Sequence, residues 1–346
     1  MSDWLIFRGT GDPHDAVDDL QDPPPWRQFD GEPGGPDAAP IEPYSLRKLG
    51  VSQGHTRNDH LGDDALGRIN AALYLRRPLL VTGEPGAGKS TLAHSLAYEL
   101  NLGRVLRWPI VSSSTLRDGL YQYDALGRLQ DLQMAQMADR DDGTVRRENR
   151  TDHGIGKYLR LGPLGTALLP SERPRVLLID ELDKSDIDLP NNLLNVLEEG
   201  QFTVPELERI ADQVPEVDLL CDDGSPVTVR QGKVLCHAFP VIVITSNQER
   251  EFPLPLLRRC IPLELETPTG ERLAAMVKAH FGEDADSRFE ELIRHFERSR
   301  EHGGVHTVDQ LMNAIRITEQ ARVLQAEGEP VSRIAKELMA PLGRRG

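Results

Sequence analysis

The feature that most restricts this chain is the octapeptide Gly83-Glu84-Pro85-Gly86-Ala87-Gly88-Lys89-Ser90, which fits the pattern G-x-x-x-x-G-K-[ST]. It follows the short apolar run Pro78-Leu79-Leu80-Val81-Thr82 and precedes an alanine-rich helical stretch to about Leu100. The pattern therefore sits where it has physical meaning, between a buried strand and a helix. Its glycines let the backbone wrap until successive N–H groups point at phosphate oxygens, and the helix N-terminus adds a favourable dipole. Lys89, one of only seven lysines, then reaches the outer phosphates, and Ser90 becomes a ligand of Mg2+. A glycine turn that merely joins strand to helix is the alternative, and the Lys-Ser pair in this context counts against it. The candidate phosphate-binding set is Gly83, Glu84, Pro85, Gly86, Ala87, Gly88, Lys89, Ser90 and Thr91.

Three further segments carry chemistry in the same frame. Val176-Leu177-Leu178-Ile179-Asp180-Glu181 is a buried strand that delivers two carboxylates to its C-terminal edge. Asp180 would join Ser90 in holding Mg2+, and Glu181 would polarise the attacking water. Solvated acids at a strand end are the plainer reading, which the phosphate loop disfavours. Val241-Ile242-Val243-Ile244-Thr245-Ser246-Asn247 is a second buried strand. If it lies between the other two, Asn247 can orient the water or touch the terminal phosphate; otherwise it is a turn residue. Arg258 and Arg259 are either a solvated surface or the source of an arginine finger given to a neighbouring subunit.

Strands at Pro78–Thr82, Val105–Val111, Val176–Asp180 and Val241–Thr245 read as continuous apolar runs separated by helical segments. That arrangement predicts a parallel sheet covered on both faces. A helix carrying Leu66, Ile69 and Leu73 precedes the loop, with Asp63 or Asp64 as its cap. Insertions fall near residues 115–172 and 202–239. The first opens with Leu116, Leu120, Leu126, Leu129 and Leu132 at helical spacing and then carries nine charged residues in the fourteen from Asp139 to Asp152, an exposed loop. The second holds Pro226–Arg230 and Lys233–Cys236 on either side of Gln231-Gly232, a candidate β-hairpin. After Pro268 only helical patterns remain, at 271–281, 288–300, 308–325 and 331–339, the third with Thr307 and Gln310 in capping-box spacing.

Composition adds a tail. Residues 1–45 hold eight prolines, five glycines and ten acids against two arginines, more than half of the formal charge of -15. Such a segment cannot supply regular hydrogen bonds and is expected to be disordered, with Trp4-Leu5-Ile6-Phe7 and Trp26 as apolar islands. The domain plan is thus a tail over 1–45, an α/β domain over 46–267 and a helical domain over 268–346. The acidic balance opposes sequence-independent binding to nucleic acid. No run approaches the roughly 18 apolar residues of a membrane span. Met1-Ser2-Asp3-Trp4 lacks the pattern of a secretory signal, so a cytoplasmic protein is expected. Cys221, Cys236 and Cys260 are odd in number and widely spaced, which predicts reduced thiols and no zinc site.

Taken in order, these segments resemble an AAA+ ATPase of the MoxR-like branch. The likeness runs from about Leu61 to Glu266 and, more weakly, to about Gln325. Residues 77–86 are similar to the family's Walker A approach, Val176–Glu181 to its Walker B, and Thr245-Ser246-Asn247 to its sensor-1 segment. Tyr121–Leu126 resembles the site of the branch's helix-2 insertion, and the candidate hairpin its pre-sensor-1 hairpin. The resemblance implies a three-layer P-loop NTPase core with a parallel sheet, then a small all-α lid, with ATP and Mg2+ between them. It also implies a homo-oligomeric ring, usually a hexamer, in which Arg259, first choice because it directly precedes the next apolar position, or Arg258 completes the next subunit's site. One departure stands out: Gly304-Val305-His306-Thr307 opens the third lid helix where the family commonly has a sensor-2 arginine. Arg316 lies further along that helix.

The expected function is ATP hydrolysis that remodels a partner protein in a chaperone-like way, with a von Willebrand factor A domain protein as the client the resemblance suggests. A low-turnover nucleotide switch is the alternative, favoured by the missing sensor-2 arginine and opposed by the Asp180-Glu181 pair. A motor acting on DNA is disfavoured because the hairpin offers only Arg230 and Lys233.

Overall fold

The computed structural model describes residues 4–49, 61–142, 154–282, 284–301, 307–323, 334–335 and 337–339. In chain order, α1 (Pro43–Leu49) and α2 (Asp63–Leu75) lead to β1 (Leu79–Thr82), α3 (Lys89–Glu99) and β2 (Leu106–Pro109). The first insertion contributes α4 (Leu116–Leu120), β3 (Tyr121–Tyr123), α5 (Ala125–Asp142), β4 (Leu159–Leu161) and α6 (Pro163–Ala167). Next come β5 (Val176–Asp180), α7 (Asp188–Glu199), β6 (Gln201–Thr203), α8 (Pro205–Glu208), β7 (Glu216–Leu220), β8 (Pro226–Arg230) and β9 (Lys233–Leu235). β10 (Val241–Ser246), α9 (Leu254–Leu257) and β11 (Ile261–Glu264) close the α/β part. The helices α10 (Gly270–Phe281), α11 (Ala285–Arg288), α12 (Glu290–Glu301) and α13 (Val308–Val323) follow.

The main sheet is parallel throughout, in the order β11-β1-β10-β5-β2. Alternate residues of its apolar strands point to opposite faces. Leu79, Val81, Val176, Leu178 and Val243 join Ile69 and Leu73 of α2 and Leu92 and Leu96 of α3 in one layer. Leu80, Leu177, Ile179, Ile242 and Ile244 meet Leu164 of α6 and Leu189 and Leu193 of α7 in the other. Each such buried side chain contributes roughly 1.5–3 kcal/mol. These two layers hold the C-terminal ends of β1, β5 and β10 side by side. β10 lies between β1 and β5, the placement that Asn247 needs.

Both insertions build a second, six-stranded mixed sheet, β3-β4-β7-β8-β9-β6. The Gln231-Gly232 turn exists, with positive φ at both residues, as a two-residue hairpin turn requires. The hairpin forms as expected, with β8 and β9 antiparallel and paired at Arg230 and Lys233; its longer pairings lie outside it, β8 along five residues with β7 and β9 with β6. The helical reading of the first insertion divides into α4 and α5 around β3. Leu120 is buried, whereas Leu126, Leu129 and Leu132 on α5 are exposed. Of the charged loop expected from Asp139 to Asp152, α5 takes the part to Asp142, and the remainder lies outside the described residues.

The cap expected at Asp63 or Asp64 is also corrected. Gly62 is the N-cap and the two aspartates occupy the first turn, where their charge favours the helix dipole. In the helical part, Leu273, Val277, Phe289, Phe296, Leu311 and Ile315 form their own core, joined by Ala335 and Met339. Thr307 and Gln310 make the expected capping box, with Gln310 N donating to Thr307 Oγ1 and Thr307 N to Gln310 Oε1.

Disorder of residues 1–45 is not what the structure shows for residues 4–45, which run over the α/β domain as a strap. Asn70 Oδ1 accepts from the amides of Ile6 and Phe7 at 2.7 and 2.9 Å. The fully buried Glu99 carboxylate accepts from those of Arg8, Gly9 and Gly11. Arg27, 4% exposed, lies over the rings of Phe29 and Phe239 and donates to the carbonyls of Arg76 and Leu197. Arg175 donates to the carbonyls of Pro36 and Asp37. Prolines lack an N–H to satisfy, and the body supplies partners for the strap amides of Ile6, Phe7, Arg8, Gly9, Gly11 and His14, which offsets the cost of burying that irregular backbone. Ile6 and Phe7 are core residues, while Trp26 stays exposed.

Candidate active site

The phosphate loop follows β1 directly and needs its glycines. A Cβ on Gly83 would lie 2.2 Å from the carbonyl oxygen of Leu265, and Gly86, at φ +83°, would bring one within 3.1 Å of Val308 N. The Lys89 ammonium is folded back under the loop, donating to the carbonyls of Gly83 and Glu84 at 2.8 and 2.9 Å. Burial holds its pKa below the usual lysine value against the opposing pull of Asp183, Glu181 and Asp180. A charge held by two carbonyls among three carboxylates is poised to exchange those carbonyls for an anion.

Side by side with the loop, β5 and β10 deliver a continuous hydrogen-bonded chain. Ser90 Oγ donates to Asp180 Oδ1 at 2.7 Å, and Thr245 Oγ1 donates to the same oxygen at 2.8 Å. Glu181 N in turn donates to Thr245 Oγ1 at 2.8 Å. Glu181 adopts the left-handed conformation (φ 61°, ψ 51°), a strained choice for a residue with a Cβ. Its Oε1 accepts from Asn247 Nδ2 at 3.2 Å and its Oε2 from Lys184 Nζ at 2.5 Å. Ser90, Asp180, Glu181 and Asn247 therefore meet within one network.

Ser90 and Asp180 present hard oxygen donors in contact, the donor chemistry that Mg2+ takes together with water and substrate phosphates. Among the described residues no group of three or more His, Cys, Asp or Glu converges to hold a metal alone, so the phosphates of a substrate would complete the shell. The residues present fit a phosphate-borne Mg2+.

All of this opens on a cleft of about 1540 Å³ between the α/β part and the helices. Pro85 to Thr91, Asp180, Glu181 and Asn247 line its floor; Leu61 and Gly62 line one end, and Met276, Val308 and Met312 come from the helices. Gly83 and Glu84 stand back from this lining: their carbonyls hold Lys89, and the Glu84 carboxylate turns to Thr267 and Arg300. Arg258 and Arg259, at the end of α9, are also outside the lining. Arg259 is tied to Glu198 at 2.6 Å, whereas Arg258 is exposed. Arg316 pairs with Glu319 on the surface. His306 lies outside the described residues.

Two site residues were missed from sequence. Asp183 is buried, and its Oδ2 accepts from the amides of Asn247 and Glu249, fixing the turn that carries Asn247. Thr245 links Asp180 to the Glu181 backbone. The acidic run continuing past Glu181 to Asp183 is the only sequence signal for the first; pairing between β5 and β10 was needed for the second.

Comparison with known families matches residues 78–260, more than half of the chain, to the family described as AAA domain (dynein-related subfamily). The matched span runs from the residue before β1 to the residue after Arg259. No match to a curated protein accompanies it. Among the described residues, no helix is long and apolar enough to cross a membrane.

Proposed function

The chain belongs to the AAA family, in its dynein-related subfamily, and from that premise we propose that it hydrolyses ATP in the cleft to remodel a partner protein. The observation that carries this reading is the chain Ser90–Asp180–Thr245–Glu181–Asn247. It joins the end of the phosphate loop to two carboxylates and an amide without a gap. Lys89 gives up the carbonyls of Gly83 and Glu84 to bind the outer phosphates. Ser90 and Asp180 would hold Mg2+, which supplies neutralisation of the phosphate charge. Glu181 orients the water and takes its proton, and Asn247 holds the carboxylate in place.

The cleft receives no arginine from α9 of its own chain, which supports a homo-oligomeric ring, hexameric by resemblance, with the finger arriving from a neighbour. Arg258 is the freer of the two candidates, since Arg259 is engaged with Glu198. The MoxR-like likeness supports a chaperone-like role, with a von Willebrand factor A domain protein as the client class.

A second reading, a switch with little turnover, is favoured by one observation: both oxygens of Glu181 are engaged within the chain, one by Lys184. ATP turnover per subunit, measured against protein concentration with Glu181→Gln as control, separates the two. Specific activity that rises as subunits associate and vanishes in Glu181→Gln is expected for the ring ATPase. A flat, near-zero rate with intact nucleotide binding would favour the switch, or an ATPase awaiting its partner.

A further inference from the structure

Glu84 occupies a position that phosphate contact does not explain. Its main-chain carbonyl holds the Lys89 ammonium at 2.9 Å, yet its carboxylate faces away from the cleft lining. There Oε2 accepts two bonds: from Thr267 Oγ1 at 2.9 Å, in the connector between β11 and α10, and from Arg300 Nη2 at 2.6 Å, near the C-terminal end of α12. One residue of the phosphate loop thus touches the cleft lysine, the connector and the helical domain.

Arg300 is built for that contact. Its side chain is 19% exposed and its guanidinium lies 5.8 Å from the ring of Phe296, which is buried in the helical core. Its Nη1 is buried and finds no hydrogen-bond partner among the described residues. A largely buried cation with a donor left over is costly unless its ion pair is kept, so the pair resists separation and carries force between the parts it joins. One turn earlier on α12, Glu297 accepts from Gly270 N at 2.7 Å at the start of α10. α12 therefore holds the phosphate loop through Arg300 and the start of α10 through Glu297, and the first residues of α13 pack directly on the loop at Gly86.

We propose that Glu84 and Arg300 form a latch that sets the closure of the helical domain over the phosphate loop, and so governs how long nucleotide stays bound. When Lys89 leaves the Glu84 carbonyl for a phosphate, the Glu84 peptide loses a cationic partner while its carboxylate remains anchored to Arg300. Loop rearrangement on binding is transmitted to α12 through the Glu84 side chain. Both are positioning residues and neither touches the reacting atoms. This supplies, from the end of α12, the coupling between loop and helices that no arginine provides at Gly304 to Thr307.

The latch rests on the nucleotide-binding reading, and its test separates the two. Dissociation of a fluorescent ATP analogue with Mg2+ is followed by stopped flow in the full chain on a Glu181→Gln background, so hydrolysis does not intervene. No binding by the parent would sink the functional reading itself. With the parent binding, Arg300→Gln and Glu84→Gln are each expected to speed dissociation about tenfold, with no further gain in the double variant. Arg300→Lys, which keeps the charge, should recover most of the residence time. Melting midpoints identify any variant that is simply unfolded, and Arg300→Lys, the milder change, still reports if Arg300→Gln fails. Unchanged dissociation in Arg300→Gln, or effects that multiply in the double variant, would overturn the latch while leaving the ATP site intact.

Discussion

The phosphate loop and the N-terminal strap are both glycine-rich and largely without regular structure, but they are held by different means. The lysine of the loop is held from within, by carbonyls five and six residues back, while Ser90 and Glu84 reach Asp180 and Arg300, 90 and 216 residues further on. The strap is held by side chains of other elements, Asn70, Glu99 and Arg175, that lie between 63 and 139 residues away from the groups they bind. Glycine and proline content therefore says little about mobility. What decides it is whether each backbone polar group finds a partner, and in the strap those partners are distant.

The largest expected effect sharpens this contrast from the loop side. Lys89→Ala should weaken nucleotide affinity by roughly a hundredfold or more in a fluorescence titration, because the principal cation for the outer phosphates is gone. The urea midpoint should stay near the parent's, and unaltered affinity would dismiss the loop as a phosphate site.

From the strap side, Glu99→Ala removes the acceptor for three amides. It is expected to cost about 3 kcal/mol in urea unfolding and to raise hydrogen exchange at residues 8–11, with nucleotide affinity little changed. Stability equal to the parent's would mean the strap contributes nothing to the fold.

The smallest effect lies where the two regions meet, on α3. His94, one turn beyond Ser90, bonds Ser45 of the strap helix α1 at 2.9 Å. Burial, followed by the charges of Lys48 and Arg107 and opposed by Asp180, lowers its pKa to about 4. Its folded pKa is below the unfolded value near 6.5, so the unfolded chain binds the proton more readily. Stability is thus whole above that value and falls as pH drops toward 4, by about 2 kcal/mol at pH 5. A His94→Gln variant should lose that part of the pH dependence. If the acid-side slope of unfolding free energy is the same in both, His94 does not join strap to helix as described.

Much of the site was legible because its determinants are local. Gly83 to Ser90, Asp180, Glu181 and Asn247 each end an apolar run that can only be a buried strand, and a parallel sheet gathers strand ends at one edge. Asp183 and Thr245 escaped because their roles depend on the register of β5 beside β10. The second sheet was half-seen for a similar reason. Strands of three to five residues carry little periodicity, and β4 meets β7 across the two insertions through a pairing that no local pattern encodes. The strap was misjudged because its composition is that of an unpaired chain, while its partners are scattered through α2, α3 and the residues before β5.

By itself, then, the sequence determined the phosphate loop, the acidic strand end, the parallel sheet and the helical C-terminal part, since each rests on spacing within a few residues. Only the tertiary structure decided the docking of the strap, the union of the two insertions in one sheet, the engagement of Arg259 with Glu198 and the ion pair between Glu84 and Arg300. Those are contacts between residues far apart in the chain, and their energy comes from burial and charge pairing that exist only once the layers have packed.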